Sequence, residues 1–436
     1  MRRTLLSLTA LLCVAAIGCQ PPQAPKKRTS TTTTKVAPDK SASPATDTPP
    51  AIDTPAEKPA VDKPTDVPPP EDKPSDDSAA TTEKNAAMTI AKSPFGQTKD
   101  GTEVDLFTIT NKNGLVLKMT NYGATVVAVE TPDKNGKLAN IQLSFPKLEG
   151  YLERHPYFGS TVGRYGNRIA GGKFKIGDEE YTLKTNNGPN HLHGGEKGFD
   201  AVVWQASEVK EGNGAGVKFT FTSKDGEEGY PGNLKMTVTY TLTDKDELAI
   251  NYEATTDKPT VLNPTNHCYW NLGGAGSGDI LETELMIAAD KYLPIDETSI
   301  PIGELASVEG TPMDFREPTP IGARIDELKK EPHQTKGYDH CYVLGEPGKL
   351  KLAARAKNPQ SGRVMEIHTT EPGIQLYCGN FLDGGESNGG FKQHEAFCLE
   401  TQHYPDSPNQ PEFPTTQLNP GETFKSQTIH KFSVEK

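Results

Sequence analysis

Phenylalanine, tryptophan and tyrosine are absent from Gln20–Lys92, where Pro, Thr, Ala, Asp and Lys dominate. Such a stretch cannot bury enough apolar surface to offset the entropy of ordering, which excludes a folded domain there. Charge of one sign is missing as well. Ten basic residues stand against eleven acidic ones, so the stretch is no basic arm for nucleic acid. The whole chain lacks positive excess, at a net charge of −12. With +2 on the segment before this stretch and −1 on the stretch itself, the remaining 344 residues carry −13. That acidity argues against nucleic acid and anionic membrane surfaces as ligands. Cysteine is scarce: Cys268, Cys341, Cys378 and Cys398 are the four in those 344 residues, with no C-x-x-C spacing. Neither a zinc knuckle nor a disulfide scaffold is indicated, while a single disulfide stays open. No glycine-rich phosphate loop joins a strand to a helix, so nucleotide binding has no support.

What is present divides the chain in three. Residues 1–19 read as an export signal: Arg2 and Arg3 are basic, and Leu5–Ile17 is an apolar run too short to span a bilayer. Ala16-Ile17-Gly18-Cys19 follows and resembles a bacterial lipobox, which implies a lipidated Cys19 at the mature N-terminus. The expected location is therefore the extracytoplasmic (periplasmic) side of a bacterial cell, anchored to a membrane. Residues 20–92 form a Pro-rich tether with a reach on the order of 50 Å or more. Residues 93–436 form the folded domain.

In that domain strand signals recur and long helical periodicity does not. Val217–Phe221, Met236–Leu242 and Leu248–Tyr252 alternate apolar with polar residues, and the turn Thr243–Glu247 joins the last two as a hairpin. Many short strands between Gly, Asp, Asn and Pro turns imply an all-β fold, a large antiparallel β-sandwich. A short helix is expected over Ile321–Lys330.

The organising stretch is Pro259–Leu272, PTVLNPTNHCYWNL, which reads as a strand. Alternation then places Thr265, His267 and Tyr269 on one face, with Asn266, Cys268 and Trp270 on the other. An imidazole among small polar groups suits proton transfer near neutrality. Phe397–Pro411, FCLETQHYPDSPNQP, offers a carboxylate, Glu400, on an apolar strand. Four more stretches carry polar groups that a plain sandwich does not need. Gly163–Gly172 holds Asn167 and Arg168 among glycines that let a ligand approach the backbone. Asn186–Gly195 holds His191 and His193, an H-x-H followed by Glu196, which raises a metal reading that lacks a clear fourth ligand. Asp339 lies in GYDH and Gln375 in PGIQLYCGN, each able to bind hydroxyls.

Together these stretches resemble the aldose 1-epimerase (galactose mutarotase) family. NYGATV at Asn121–Val126, GRYGNRIAGG, NHLHGG, NPTNHCYWNL, GYDH, GIQLYCGNFLDG and FCLETQHYPDSPNQP stand in that family's order. The resemblance implies the two-sheet sandwich of the galactose mutarotase type with an open sugar cleft. It implies His267 as general acid and Glu400 as general base. Asn167, Arg168, His193, Asp339 and Gln375 match sugar-contacting positions, Tyr269 joins them from the face of His267, and His191 falls behind them. Trp270 and Cys268 depart from the commoner Phe and Ser without touching the pair. The implied ligand is an aldose, as monomer or dimer of the chain, with no metal or other cofactor. Two other readings stay open: a non-catalytic carbohydrate-binding module, and a glycoside hydrolase or lyase. A hydrolase would normally need two carboxylates flanking the bond, where here a carboxylate meets a histidine. Ordinary pKa values of about 4.3 and 6.5 place the working window of Glu and His in mild acid, and burial would raise the first and lower the second.

Overall fold

The computed structural model describes residues 87–329 and 335–436. The expected signal, the lipidation site Cys19 and nearly all of the tether lie outside them. Apart from a few single-turn helices, the described elements are strands, and every ladder between strands is antiparallel.

Three sheets make the body. The first is a meander of five strands, from Thr89–Gln97 to Leu138–Asn140, each pairing with the next. The second has nine strands and contains the expected hairpin, Leu234–Thr243 with Glu247–Thr256. Along Leu234–Thr243 the residues Leu234, Met236, Val238, Tyr240 and Leu242 are buried while those between them are not, the alternation that a sheet with one wet face requires. The third sheet carries Asp339–Val343, Gly373–Tyr377 and Cys398–Gln402 side by side. One core joins all three: Phe107 and Met119 from the first, Phe219 and Ile250 from the second, Ile374 and Leu399 from the third.

Three expectations need adjusting. Strand pairing begins at Thr89, not after residue 92, because Met88 and Ile90 are aliphatic and pack on the core. The segment Ile321–Lys329 forms two short 3₁₀ turns, Ile321–Ala323 and Ile325–Lys329, instead of one helix. And Pro259–Leu272 is not one strand: only Thr260–Val261 and Thr265–Asn266 pair as strands. Pro264 has no N–H to donate, and the segment threads between sheets, bonding to a different partner at nearly every residue. His267 N–H donates to Ser160, Gly159 N–H donates to the His267 carbonyl, and Trp270 exchanges bonds with Phe397. The alternation survives this threading. Cys268 and Trp270 enter the main core, and Tyr269 faces the other way with His267.

Candidate active site

The imidazole of His267 is 4% exposed and lies between two phenol rings. Tyr269 stacks on one side at 5.0 Å between ring centres and 15° between planes, and Tyr157 at 5.8 Å and 21°. His193 meets it edge-to-face, with ring centres 5.0 Å apart and planes at 72°. Electron-rich faces of this kind favour a positively charged ring over a neutral one.

The carboxylate comes from the third sheet. Its register sets Gln375 opposite Glu400, Tyr377 opposite Cys398, and Asp339 opposite Tyr377. Opposed residues of an antiparallel pair share a face, so Asp339, Gln375, Tyr377, Cys398 and Glu400 project together. Leu376 and Leu399 turn the other way into the core. Glu400 Oε1 lies 3.6 Å from His267 Nε2, both groups being deeply buried. Glu400 Oε2 is buried without a partner.

Two glycine-rich loops supply the other wall. Arg168–Ile169 pairs with His191–Leu192, joining GRYGNRIAGG to NHLHGG. A Cβ on Gly194 would sit 1.8 Å from the Gly163 carbonyl oxygen, so only glycine allows this approach. Asn167 and His193 clasp each other: His193 N–H donates to the Asn167 carbonyl, and Asn167 N–H donates to His193 Nδ1 at 3.1 Å. Because Nδ1 accepts, the hydrogen of the neutral ring is on Nε2 and available as a donor. Arg168 donates from Nε to Asn187 at 3.1 Å and lies 3.8 Å from Asp339. Asp406 holds the loop by donating its N–H to the Arg168 carbonyl and accepting from Ala170 N–H. The result is an open cavity of about 160 Å³ lined by Asn167, Arg168, His193, His267, Tyr269, Asp339, Tyr377 and Glu400. It is on the scale of one small polar ring, well below a drug-sized pocket.

Burial dominates the protonation states. Glu400 is pushed up to about 8, by loss of solvent first and by the charge of Asp339 second, with Arg168 opposing. His267 is pushed down to about 3, again by burial, with His155 adding to it. His193 is held well below the ordinary imidazole range by burial and by His267 and Arg168. The Glu400–His267 contact therefore holds a single proton over a wide pH range, and in the empty site the proton rests on the carboxyl.

Seven of the eight expected site residues of the folded domain line one cavity. The eighth, Gln375, is not part of the lining and donates from Nε2 to Asp339 Oδ1 at 2.7 Å on the same sheet face. His191 is placed away: Nδ1 bonds the Lys184 carbonyl at 2.7 Å and Nε2 meets Tyr230 at 2.6 Å. Glu196 is exposed and paired with Lys184, so the H-x-H and Glu196 do not assemble into a metal site. Tyr157, Tyr377 and Cys398 were not anticipated. For Tyr157 the sequence holds only a weak sign, an aromatic in HPYFG, and no local pattern announces the sulfur at 3.5 Å from His267 Nδ1. Possible ligand atoms of His193, His267 and Glu400 do lie within 4.8 Å of one another. Exhaustive chelation should nevertheless leave catalysis unchanged, because a proton circuit needs no cation. Reversible loss restored by one divalent ion would show that these three hold a metal.

Fold and site define the class: an antiparallel β-sandwich with a buried carboxylate–imidazole pair at the floor of an open polar cleft. The chain belongs to the aldose 1-epimerase family, whose model matches residues 105–431. It is 45% identical over 351 residues to galactose mutarotase of Mus musculus, covering 80% of this chain and 99% of the mouse protein. It is 39% identical to aldose 1-epimerase of Escherichia coli, covering 77% and 97%. The crystal structure of galactose 1-epimerase from Lactobacillus acidophilus superposes with a TM-score of 0.71 at 31% identity, covering 80% of this chain and all of that one.

Proposed function

We propose that the protein is an aldose 1-epimerase that interconverts the α and β anomers of aldohexoses such as glucose and galactose. The observation that carries this reading is the buried Glu400–His267 pair, 3.6 Å apart, with an unpartnered carboxylate oxygen in the cleft. Glu400 takes the proton of the C1 hydroxyl while His267 Nε2 gives one to the ring oxygen. The C1–O5 bond breaks, an aldehyde forms at C1, and C1 turns about C1–C2. On closure O5 attacks the other carbonyl face, His267 recovers its proton and Glu400 returns the other to O1. Only protons are exchanged and no atom changes oxidation state over the cycle. Asn167, Arg168, His193, Tyr269 and Asp339 hold the hydroxyls, and Gln375 holds Asp339. Polarimetry of freshly dissolved α-D-glucose and α-D-galactose should show decay far faster than in buffer alone. A rate equal to buffer would refute the assignment.

After ring opening the proton of the pair sits on Glu400, which is also its resting place in the empty site. The working form, with the proton on His267, combines a strong base with a strong acid, and this drives both transfers. The pair must hold one proton in total. Below the His267 limb both groups are protonated and Glu400 cannot accept. Above the Glu400 limb the pair has lost its proton and His267 cannot donate. kcat/KM should therefore form a broad bell with limbs near about 3 and about 8, belonging to the pair jointly. Burial acts in the two directions expected from sequence, and it carries the two groups past each other, so the window is set by the reversed pair. A profile already falling between pH 6 and 7 would contradict this.

The lipobox-like Ala16–Cys19 supports a second reading, that Cys19 is lipidated and tethers the enzyme to the extracytoplasmic face of a membrane. Cys19→Ser should shift the protein into the soluble fraction or leave it misprocessed. Unchanged fractionation and cleavage would end the idea.

A further inference from the structure

We propose that Cys398 is a positioning residue for His267, its sulfur holding the Nδ1 side of the imidazole so that Nε2 serves the sugar. This rests on the epimerase reading and adds to it the group that orients the acid. Cys398 Sγ lies 3.5 Å from His267 Nδ1 in a fully buried setting, within reach of a sulfur hydrogen bond. Cys398 and Glu400 are two apart on one strand and share its inner face. One rigid element thus places the base at Nε2 and the holder at Nδ1. The faces of the ring are covered by Tyr157 and Tyr269. Its edges meet His193 and, at 6.5 Å, Tyr377.

The chemistry gives sulfur a reason to be there. To act at Nε2 through a full cycle, His267 must keep its other hydrogen on Nδ1. The imidazolium donates Nδ1–H to the sulfur. After Nε2 has passed its proton to the ring oxygen, the neutral ring still donates Nδ1–H and presents a bare Nε2 lone pair to recover the proton on closure. A histidine is often oriented by a carboxylate, which also stabilises the imidazolium and makes it a weaker acid. A pyranose ring oxygen is weakly basic and needs a strong acid. A neutral sulfur is a weak acceptor, so it orients the ring without taking that acidity away. Burial, with Glu400 adding to it, holds the thiol well above its ordinary range, so it stays uncharged beside the imidazolium.

Three variants test this by polarimetry and by 15N NMR of the imidazole. Cys398→Ala should lower kcat about tenfold, the scale of one lost hydrogen bond, with KM nearly unchanged and the Nδ1–H tautomer no longer dominant. Cys398→Ser should recover most of that loss. Cys398→Asp should keep the tautomer and move the acid limb of kcat/KM upward by about one pH unit or more, as an opposite charge does. The residues around the ring, Glu400, His193, His155, Tyr157, Tyr269 and Tyr377, are retained in all three, and the carboxylate in Cys398→Asp should also raise Glu400 and move the alkaline limb upward. Parental kcat and an unaltered tautomer in Cys398→Ala, or an unmoved acid limb in Cys398→Asp, would overturn the proposal. A parent that does not speed mutarotation would sink the epimerase reading instead, and the tautomer spectra would still decide the role of Cys398.

Discussion

Glu400→Gln should lower kcat by about 10²-fold or more while leaving sugar affinity close to parental. The amide preserves size and can still hydrogen-bond hydroxyls, but it cannot accept the C1 proton. It also removes the group that holds the shared proton in the empty site, so the alkaline limb of the pH profile should vanish. His267→Asn should cost a similar factor, since an amide cannot deliver a proton near neutrality. Because the two residues serve one circuit, the double variant should lose much less than the product of the single losses. Multiplicative losses in the cycle would mean that the two act independently. Near-parental turnover in Glu400→Gln together with abolished turnover in Asp339→Asn would move the base to Asp339.

The second large effect is expected at Arg168. Its guanidinium is largely enclosed, donates to Asn187 and faces Asp339 at 3.8 Å, while the backbone carbonyl of Arg168 accepts from Asp406 N–H. A sugar hydroxyl bound there would receive a charge-assisted hydrogen bond, worth ~1.5–3 kcal/mol. Arg168→Ala should therefore raise KM by roughly 10- to 100-fold, with a smaller change in kcat. The same variant removes a positive charge that opposes the upward shift of Glu400, so the alkaline limb should move to higher pH. Steady-state polarimetry across pH reads both effects. An unchanged KM would show that Arg168 does not hold substrate.

Much of the site was legible in sequence, and for physical reasons. A glutamate at the third position of an apolar strand and a histidine on a Pro-bounded segment are visible because strand alternation fixes which side chains project together. Asn167 and Arg168 stood out among glycines that let a ligand approach, His193 stood out in the H-x-H, and the family resemblance assigned all three to the sugar. What stayed hidden depends on contacts distant in the chain. Tyr157 covers His267 from more than a hundred residues away, and Cys398 reaches its Nδ1 from a similar distance on the other side. Gln375 was grouped with the sugar contacts; it shares the face of Asp339 and Glu400 and spends its amide N–H on Asp339, a contact between strands that local sequence does not announce. The segment Pro259–Leu272 has the composition of a strand, but its backbone is divided among Gln417–Leu418, Thr161–Val162 and bridges from Trp270 to Gln142 and Phe397. The protonation pattern was half legible. Its direction follows from burial, but its size requires the enclosure that only the assembled sheets provide.

The central claim is that Glu400 and His267 turn over a bound aldose instead of merely holding it. Saturation-transfer NMR at anomeric equilibrium tests this most directly. With the parent protein present, saturating the α-anomer H1 signal of D-galactose should deplete the β-anomer H1 signal within the relaxation time. The same experiment with Glu400→Gln should show sugar binding and no transfer. If the parent bound the sugar and transferred no saturation between anomers, the cleft would be a binding site and not a catalytic one.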